Sequence, residues 1–240
     1  MQTLEGRNVA ILGGTGGIGQ ATAALLTTRG ARVTIGGRDQ QRLAETSASL
    51  PDAADAIQVD ATDQGSLSNF YEDAGPIDDV VVTVTRRGGA GPASALAEQD
   101  LLDAFAGKSV AQLRAVATAL PTLAERGSVT LVSAGSAQAA LPGTAALAAV
   151  NGALEAAVPP LARELAPRRV NAVSPGVIET GWWDELPEAD RQATFDQFAQ
   201  QTPVGRNGNG EDVAHAIAAL IENDYISGVV LPCDGGLRLT

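Results

Sequence analysis

The chain contains very little of several residue types on which binding sites and cellular compartments depend. Its one cysteine, Cys233, excludes an internal disulfide bond and is typical of a reducing compartment. We find no secretory signal and no apolar run of the ~20 residues that a membrane-spanning helix needs, so we expect a cytoplasmic protein. The formal net charge of −12 disfavours nucleic acid and anionic membranes. We therefore expect neither of them as a partner, and we expect no metal site.

Aromatic residues are also scarce, at 3%, although 45% of the chain is hydrophobic. This composition, with its prominent alanine and glycine, is typical of helices packed closely on a sheet and excludes a disordered chain. At 240 residues the chain is long enough to bury a large core. Lysine occurs once, as Lys108, and histidine once, as His215.

Short β-like runs alternate with helical patterns along the whole chain. The predicted strands are 8–12, 31–36, 55–60, 79–84, 128–133, 169–173 and 228–232. The predicted helices are 17–29, 39–49, 64–73, 97–121, 144–165 and 210–222. No linker or repeat divides this pattern, and several strands are continuous apolar runs, as strands covered on both faces are. We predict an α/β fold with one domain over 1–240, a Rossmann-like doubly wound parallel sheet of about seven strands with helices on both faces.

Segment 179–207 differs from its surroundings because it is polar yet holds both tryptophans, Trp182 and Trp183. Two interpretations fit it: an amphipathic substrate flap over a pocket, which we prefer, or an ordinary excursion that packs its aromatic side chains. A second local conflict is Pro159-Pro160 inside the predicted helix 144–165. Each proline removes a backbone donor, so we expect a kink or an early break there.

The most informative stretch is the glycine-rich sequence at 13–19, between a predicted strand and a predicted helix. Such a turn directs backbone N–H groups and the positive end of a helix at one point, which suits a pyrophosphate. Side chains on these glycines would block the tight turn or the ligand's approach. The pattern predicts a dinucleotide site.

Several landmarks resemble the short-chain dehydrogenase/reductase family over essentially the whole chain. The family's glycine motif matches Gly13, Gly17, Ile18 and Gly19, and Asp60 resembles its adenine-binding acid. The sequences 170–176 and 234–236 match two further family motifs, and Thr180 lies where the family contacts the nicotinamide. Our predicted coenzyme contacts are Gly13, Thr15, Gly17, Ile18, Gly19, Arg38, Asp60, Ala61, Thr83, Pro175, Gly176, Ile178 and Thr180.

The end of the second predicted strand indicates which coenzyme is preferred. An acidic residue there would bind the ribose 2′-hydroxyl and repel a 2′-phosphate, but this chain has Gly37 followed by Arg38. A guanidinium can hold a phosphate through two hydrogen bonds, and Thr15 could add a hydroxyl. We therefore expect NADP(H) rather than NAD(H).

The family's catalytic residues are missing. Its members usually use a tyrosine as general acid/base, with a nearby lysine, serine and asparagine in support. On this resemblance the Tyr and Lys positions fall on Leu147 and Asn151, the Ser position on Ala134 and the Asn position on Lys108. The usual mechanism is excluded, and the polar residues left as catalytic candidates are Lys108, Ser133 and Asn151.

Each candidate also has a structural interpretation. Lys108 could donate a proton or polarise a carbonyl, or it could bond carbonyl groups at a kinked helix. Ser133 and Asn151 could orient a substrate. Arg86 and Arg87 follow the predicted fourth strand, where they could meet an anionic substrate or, as we slightly prefer, lie on a solvated loop.

Three functions remain open: an NADP(H)-dependent oxidoreductase on a small carbonyl or alcohol substrate, a non-redox enzyme such as an isomerase, dehydratase or cyclase, and a silent sensor or scaffold. We favour the oxidoreductase. The resemblance also implies a homodimer or homotetramer.

Overall fold

The computed structural model describes residues 4–50, 54–86 and 88–240. Seven parallel strands form one sheet in the order β3-β2-β1-β4-β5-β6-β7. The strands are β1 (Asn8–Leu12), β2 (Arg32–Gly37), β3 (Asp55–Gln58), β4 (Ile77–Val82), β5 (Leu123–Val132), β6 (Arg169–Pro175) and β7 (Val230–Cys233). The predicted parallel seven-stranded sheet is confirmed.

Helices connect these strands and cover both faces of the sheet. In the described residues they are α1 (Gly17–Thr28), α2 (Gln40–Ser49), α3 (Gln64–Ala74), α4 (Glu98–Phe105), α5 (Ala111–Ala119), α6 (Ala145–Glu164), α7 (Glu188–Gln201) and α8 (Gly210–Glu222). On one face, Phe70 and Leu154 belong to a buried cluster with the sheet, and on the other Leu26 and Ile217 do so. Two apolar layers therefore enclose the sheet, which explains its continuous apolar strands.

The strand order places the candidate site. The chain runs from β1 outward to β3 and then crosses back to β4 on the other side of β1. The carboxyl ends of β1 and β4 therefore border the crevice at which sheets of this kind bind ligands. Gln112, fully buried, links the neighbouring strand ends, because its Nε2 donates to Val84 O and Val132 O and its Oε1 accepts from Val132 N.

Three helix predictions need correction. The predicted helix 97–121 is interrupted by a π-helical turn (Ala106–Val110) between α4 and α5. Segment 179–207 contains the helix α7, which was not predicted. Helix α6 continues through Pro159 and Pro160, so the expected early break is wrong. Both prolines lie on the exposed side, where water can bond the backbone carbonyls that lose their donors.

The same helix is also the one among the described helices that has the length and composition that a membrane span needs, with a mean hydropathy of 1.3 over its best window. In the fold it packs against β6 and adds Leu154 and Val158 to the buried core. One side of α6 therefore covers the sheet, and the rest of the helix is less buried.

Candidate functional site

The glycine loop joins β1 to α1 at the crevice. Gly13 has a φ of +83°, and the N–H groups of Gly13 and Gly14 donate to Gly36 O at 2.9 and 3.0 Å. A side chain on Gly19 would collide with the carbonyl of Gly13, and one on Gly13 would lie 2.5 Å from Thr83 Oγ1. No side chain caps the first turn of α1, so its N–H groups remain available to an anion.

The loop after β6 closes the crevice from the other side. A Cβ at Gly17 would lie 2.6 Å from Thr180 Cγ2, so Thr180 packs directly on the start of α1. The base of segment 179–207 is fixed by backbone bonds, with Glu179 N donating to Gly208 O and Gly208 N donating to Val177 O, both at 2.9 Å. Trp183 Nε1 donates to Ile178 O. The flap interpretation stays a prediction.

At the end of β2 the structure brings together the residues predicted to choose the coenzyme. A Cβ at Gly37 would lie 3.2 Å from both Thr15 Cγ2 and Thr15 Oγ1, so this position has little room for an acidic side chain. Arg42, which the sequence analysis missed, donates from Nη2 to Thr15 O at 2.9 Å. Exposed Arg38 lies close enough to Asp60 to favour its anion.

Asp60 is held as a carboxylate. Bonds from the hydroxyl and the backbone N–H of Thr62 to Asp60 Oδ1, at 2.7 and 2.9 Å, lower the pKa of Asp60, with a smaller contribution from Arg38. An anion at this place suits a hydrogen-bond donor such as an adenine amino group.

Five predicted coenzyme residues have structural roles. The side chains of Ala61 and Ile178 are buried in the two cores, and Ile18 packs against one of them, which leaves mainly backbone for a ligand. A Cβ at Gly176 would lie 2.9 Å from Asp234 Cα, so this glycine allows close packing after β7. Pro175 ends β6 at the crevice.

Lys108 lies in the π-helical turn between α4 and α5, partly buried behind the end of β5. Its Nζ donates to Ser133 O at 3.0 Å, which is its one hydrogen bond within the described part of the chain. Two ammonium N–H groups are therefore left for other partners. Burial lowers the pKa of Lys108 to about 8, against an opposing effect from the negative charge of Glu155.

Glu155 on α6 is a site residue that sequence reasoning missed. Its Oε1 accepts from the hydroxyls of Ser133 and Ser174, both at 2.8 Å, and its Oε2 accepts from Gln138 Nε2 at 2.8 Å. These donors come from the ends of β5 and β6 and from the loop after β5, so no local pattern could have revealed the cluster. The buried Ser133 hydroxyl donates to Glu155, and its predicted role in orienting a substrate stays a prediction.

Asn151 is buried, with 2% of its surface exposed, and its Nδ2 donates to Leu147 O and Ser136 Oγ. Its Oδ1 has no partner among the described residues. Leu147 occupies the family's tyrosine position and packs near Gly89. If Gly89 carried a Cβ, that atom would lie 3.4 Å from Leu147 Cδ2. The tyrosines of the chain are elsewhere: Tyr71 is buried in α3, and Tyr225 is fully exposed before β7.

The arginines after β4 are partly accounted for. Arg86 is exposed and forms an ion pair with Asp103 of α4 at 2.9 Å, which agrees with a solvated loop. Arg87 lies outside the described residues.

Comparisons with known proteins agree with this geometry. A family model described as enoyl-(acyl carrier protein) reductase matches residues 13–238. The 3-oxoacyl-[acyl-carrier-protein] reductase of Rattus norvegicus is 31% identical over 242 residues, covering 96% of this chain and 98% of the relative. The chain belongs to the short-chain dehydrogenase/reductase family of oxidoreductases.

Two solved structures are similar over nearly the full chain. A small-chain dehydrogenase in complex with NADPH has a TM-score of 0.85 and 30% identity, and covers 98% of this chain and 100% of its own. The MalC reductase/Diels–Alderase from Malbranchea aurantiaca has a TM-score of 0.90 and 26% identity, and covers 99% and 97%. Both structures support the Rossmann-like fold independently of the sequence pattern.

Proposed function

We propose that the protein is an NADP(H)-dependent oxidoreductase that reduces a small carbonyl substrate with Lys108 as the proton donor. The observation that carries this proposal is the position of Lys108, whose ammonium lies at the end of β5 with two N–H groups left for a ligand. The family's tyrosine position is Leu147, which has no proton to give. Lys108 is thus the strongest acid that the catalytic positions offer.

The residues of the crevice fit a dinucleotide. A Cβ at Gly13, Gly17 or Gly19 would collide with protein atoms, so these glycines allow the tight turn, and the first turn of α1 has no side-chain cap. Arg38 and Arg42 would hold the 2′-phosphate, and Asp60 the adenine. When bound, NADPH supplies the hydride.

The chain's own contribution is to hold the substrate oxygen and deliver a proton. Hydride addition to a carbonyl carbon leaves an alkoxide, which a nearby ammonium stabilises and then protonates. Lys108 Nζ keeps its bond to Ser133 O while another of its N–H groups reaches the substrate oxygen. Because burial holds the pKa of Lys108 at about 8, the amine is mostly protonated at pH 7 yet gives up its proton more readily than an exposed lysine.

The relatives suggest which substrates to test first. The rat relative is named for a 3-oxoacyl group on acyl carrier protein. We infer that a 3-oxoacyl thioester is the first substrate class to try, followed by simple ketones and 1,2-diketones. Consumption of NADPH at 340 nm with any of them supports the function, and none across the panel counts against it.

Arg38→Ala should weaken NADPH binding by about tenfold to a hundredfold and leave NADH binding unchanged. The reason is that only NADPH carries the 2′-phosphate, and a charge-assisted bond contributes about 1.5–3 kcal/mol. Fluorescence titration of both nucleotides measures this, with Arg32→Ala, an exposed arginine at the opposite end of β2, as the control. Equal losses for both nucleotides would show that Arg38 does not read the 2′-phosphate.

A non-redox function is the second candidate. The absence of the tyrosine favours it, and one solved neighbour is titled both a reductase and a Diels–Alderase. An isomerase or cyclase that only binds the coenzyme would convert its substrate without consuming NADPH. Product analysis at constant NADPH absorbance therefore separates the two candidates.

We propose a homodimer or homotetramer that forms in the cytoplasm through α4 to α6. Leu102 and Val110 are 55% and 44% exposed on this side, which leaves apolar surface for a second copy to cover. Light scattering after size exclusion should give twice or four times the chain mass, and Leu102→Glu should reduce it. A monomer at all concentrations would contradict the proposal.

A further inference from the structure

Glu155 is surrounded by donors that fix its carboxylate in one orientation. Three hydrogen bonds of 2.8 Å reach it, from two serine hydroxyls and one amide. Ser133 and Ser174 are each 2% exposed, so the two serine bonds are shielded from solvent, whereas Gln138 bonds from the exposed side. The cluster therefore holds a negative charge at a defined position behind the site.

Lys108 and Glu155 are joined through Ser133, although they form no direct ion pair. The ammonium donates to the carbonyl oxygen of Ser133, and the hydroxyl of the same serine donates to Glu155 Oε1. Both residues belong to the described part of the chain. The negative charge of Glu155 raises the pKa of the Lys108 amine through space, without a direct contact. Among the described residues, Arg86 lies beside Gly107 of this turn and pairs in turn with Asp103.

We propose that Glu155 is a positioning residue whose fixed carboxylate keeps the amine of Lys108 protonated at neutral pH without contacting it. This inference rests on the proposed function, in which that ammonium is the proton donor. A direct ion pair would occupy the amine's N–H groups and turn them away from a substrate. A carboxylate tied down by Ser133, Ser174 and Gln138 provides the charge and leaves those N–H groups available.

The single lysine of the chain makes a direct test possible. Protein grown with ¹³C-labelled lysine and carrying no lysine in any tag gives one side-chain set of NMR signals, that of Lys108. The Cε signal, followed from about pH 3 to pH 11, reports when this amine loses its proton. The readout needs neither substrate nor coenzyme.

Glu155→Gln removes the charge and keeps the shape and most of the hydrogen bonds. We expect its lysine signal to titrate at least about half a pH unit below the wild type, because the desolvated ammonium loses its nearby anion. Glu155→Asp keeps the charge, so its lysine signal should titrate close to the pH at which the wild-type signal does. Glu164→Gln, an equal charge change at the exposed end of the same helix, is the matched control and should titrate as the wild type does.

Equal titration of Glu155→Gln, Glu164→Gln and the wild type would overturn the proposal. Should Glu155→Gln fail to fold, the titration of the wild type serves as the test. Its lysine signal should show a second, smaller inflection at acid pH, where carboxylates protonate. Absence of that inflection in a folded protein would also overturn it. Failure of the proposed function is a separate result, since it appears as absent NADPH consumption and leaves the lysine titration unaffected.

Discussion

Lys108→Met should lower kcat/KM for NADPH-dependent carbonyl reduction by about a hundredfold to ten-thousandfold, the usual contribution of a positioned general acid. Methionine fills a similar volume but has no proton to donate and no charge for the alkoxide. NADPH affinity should stay within about twofold, because Lys108 lies in the π-helical turn and not in the glycine loop. Steady-state rates and a parallel NADPH titration measure both quantities.

The pH dependence of the reaction gives a second readout of the same residue. The donor is the protonated amine, whose pKa is about 8. Below this pH the rate of reduction should therefore not depend on pH. Above it the rate of reduction should fall about tenfold for each pH unit, since each unit removes nine-tenths of the remaining acid. The residual activity of Lys108→Met should not show this fall. Unchanged turnover in Lys108→Met, or a fall that persists there, would show that another group supplies the proton.

Gly19→Ala should weaken NADPH binding by about a hundredfold or more. The added Cβ would collide with the carbonyl of Gly13, which is backbone and cannot rotate away as a flexible side chain can. The loop must then shift, and it would lose bonds from its N–H groups to the pyrophosphate, each contributing about 1.5–3 kcal/mol. Isothermal titration calorimetry measures the loss, with circular dichroism to show that the variant is folded.

Gly152→Ala is the matched control for this change. Gly152 lies within α6, and a Cβ there would meet no atom within 4 Å. We expect unchanged NADPH affinity and equal or higher thermal stability, because alanine is the better helix former. A folded Gly19→Ala that binds NADPH as tightly as Gly152→Ala would be incompatible with a nucleotide held against this loop.

The sequence predicted those parts of the fold that depend on local patterns. Strands of continuous apolar residues and a glycine loop between strand and helix determine the sheet and its crevice, and both were found. Helix α7 was missed because its sequence is largely polar and none of its residues is buried. The π-helical turn at Lys108 was missed because no local signal distinguishes it from α-helix.

The candidate site was predictable only in part, for a related reason. Gly13, Gly17 and Gly19 form a motif of fixed spacing, so the sequence alone was enough to propose them as part of a nucleotide site. Glu155 carries no such spacing, because its role arises when β5, β6 and the loop after β5 meet in the folded chain. Ser133 was named from the sequence as a candidate, but only the fold reveals that its hydroxyl donates to this glutamate.

Deuterium transfer tests the central claim most directly. NADPH labelled with deuterium at the transferable C4 position should pass the label to the carbinol carbon of a 3-oxoacyl thioester or another carbonyl substrate, as mass spectrometry of the product would show. The account predicts labelled alcohol from the wild type and a rate at least about a hundredfold lower from Lys108→Met. Tight NADPH binding with no labelled product from any carbonyl substrate would contradict it.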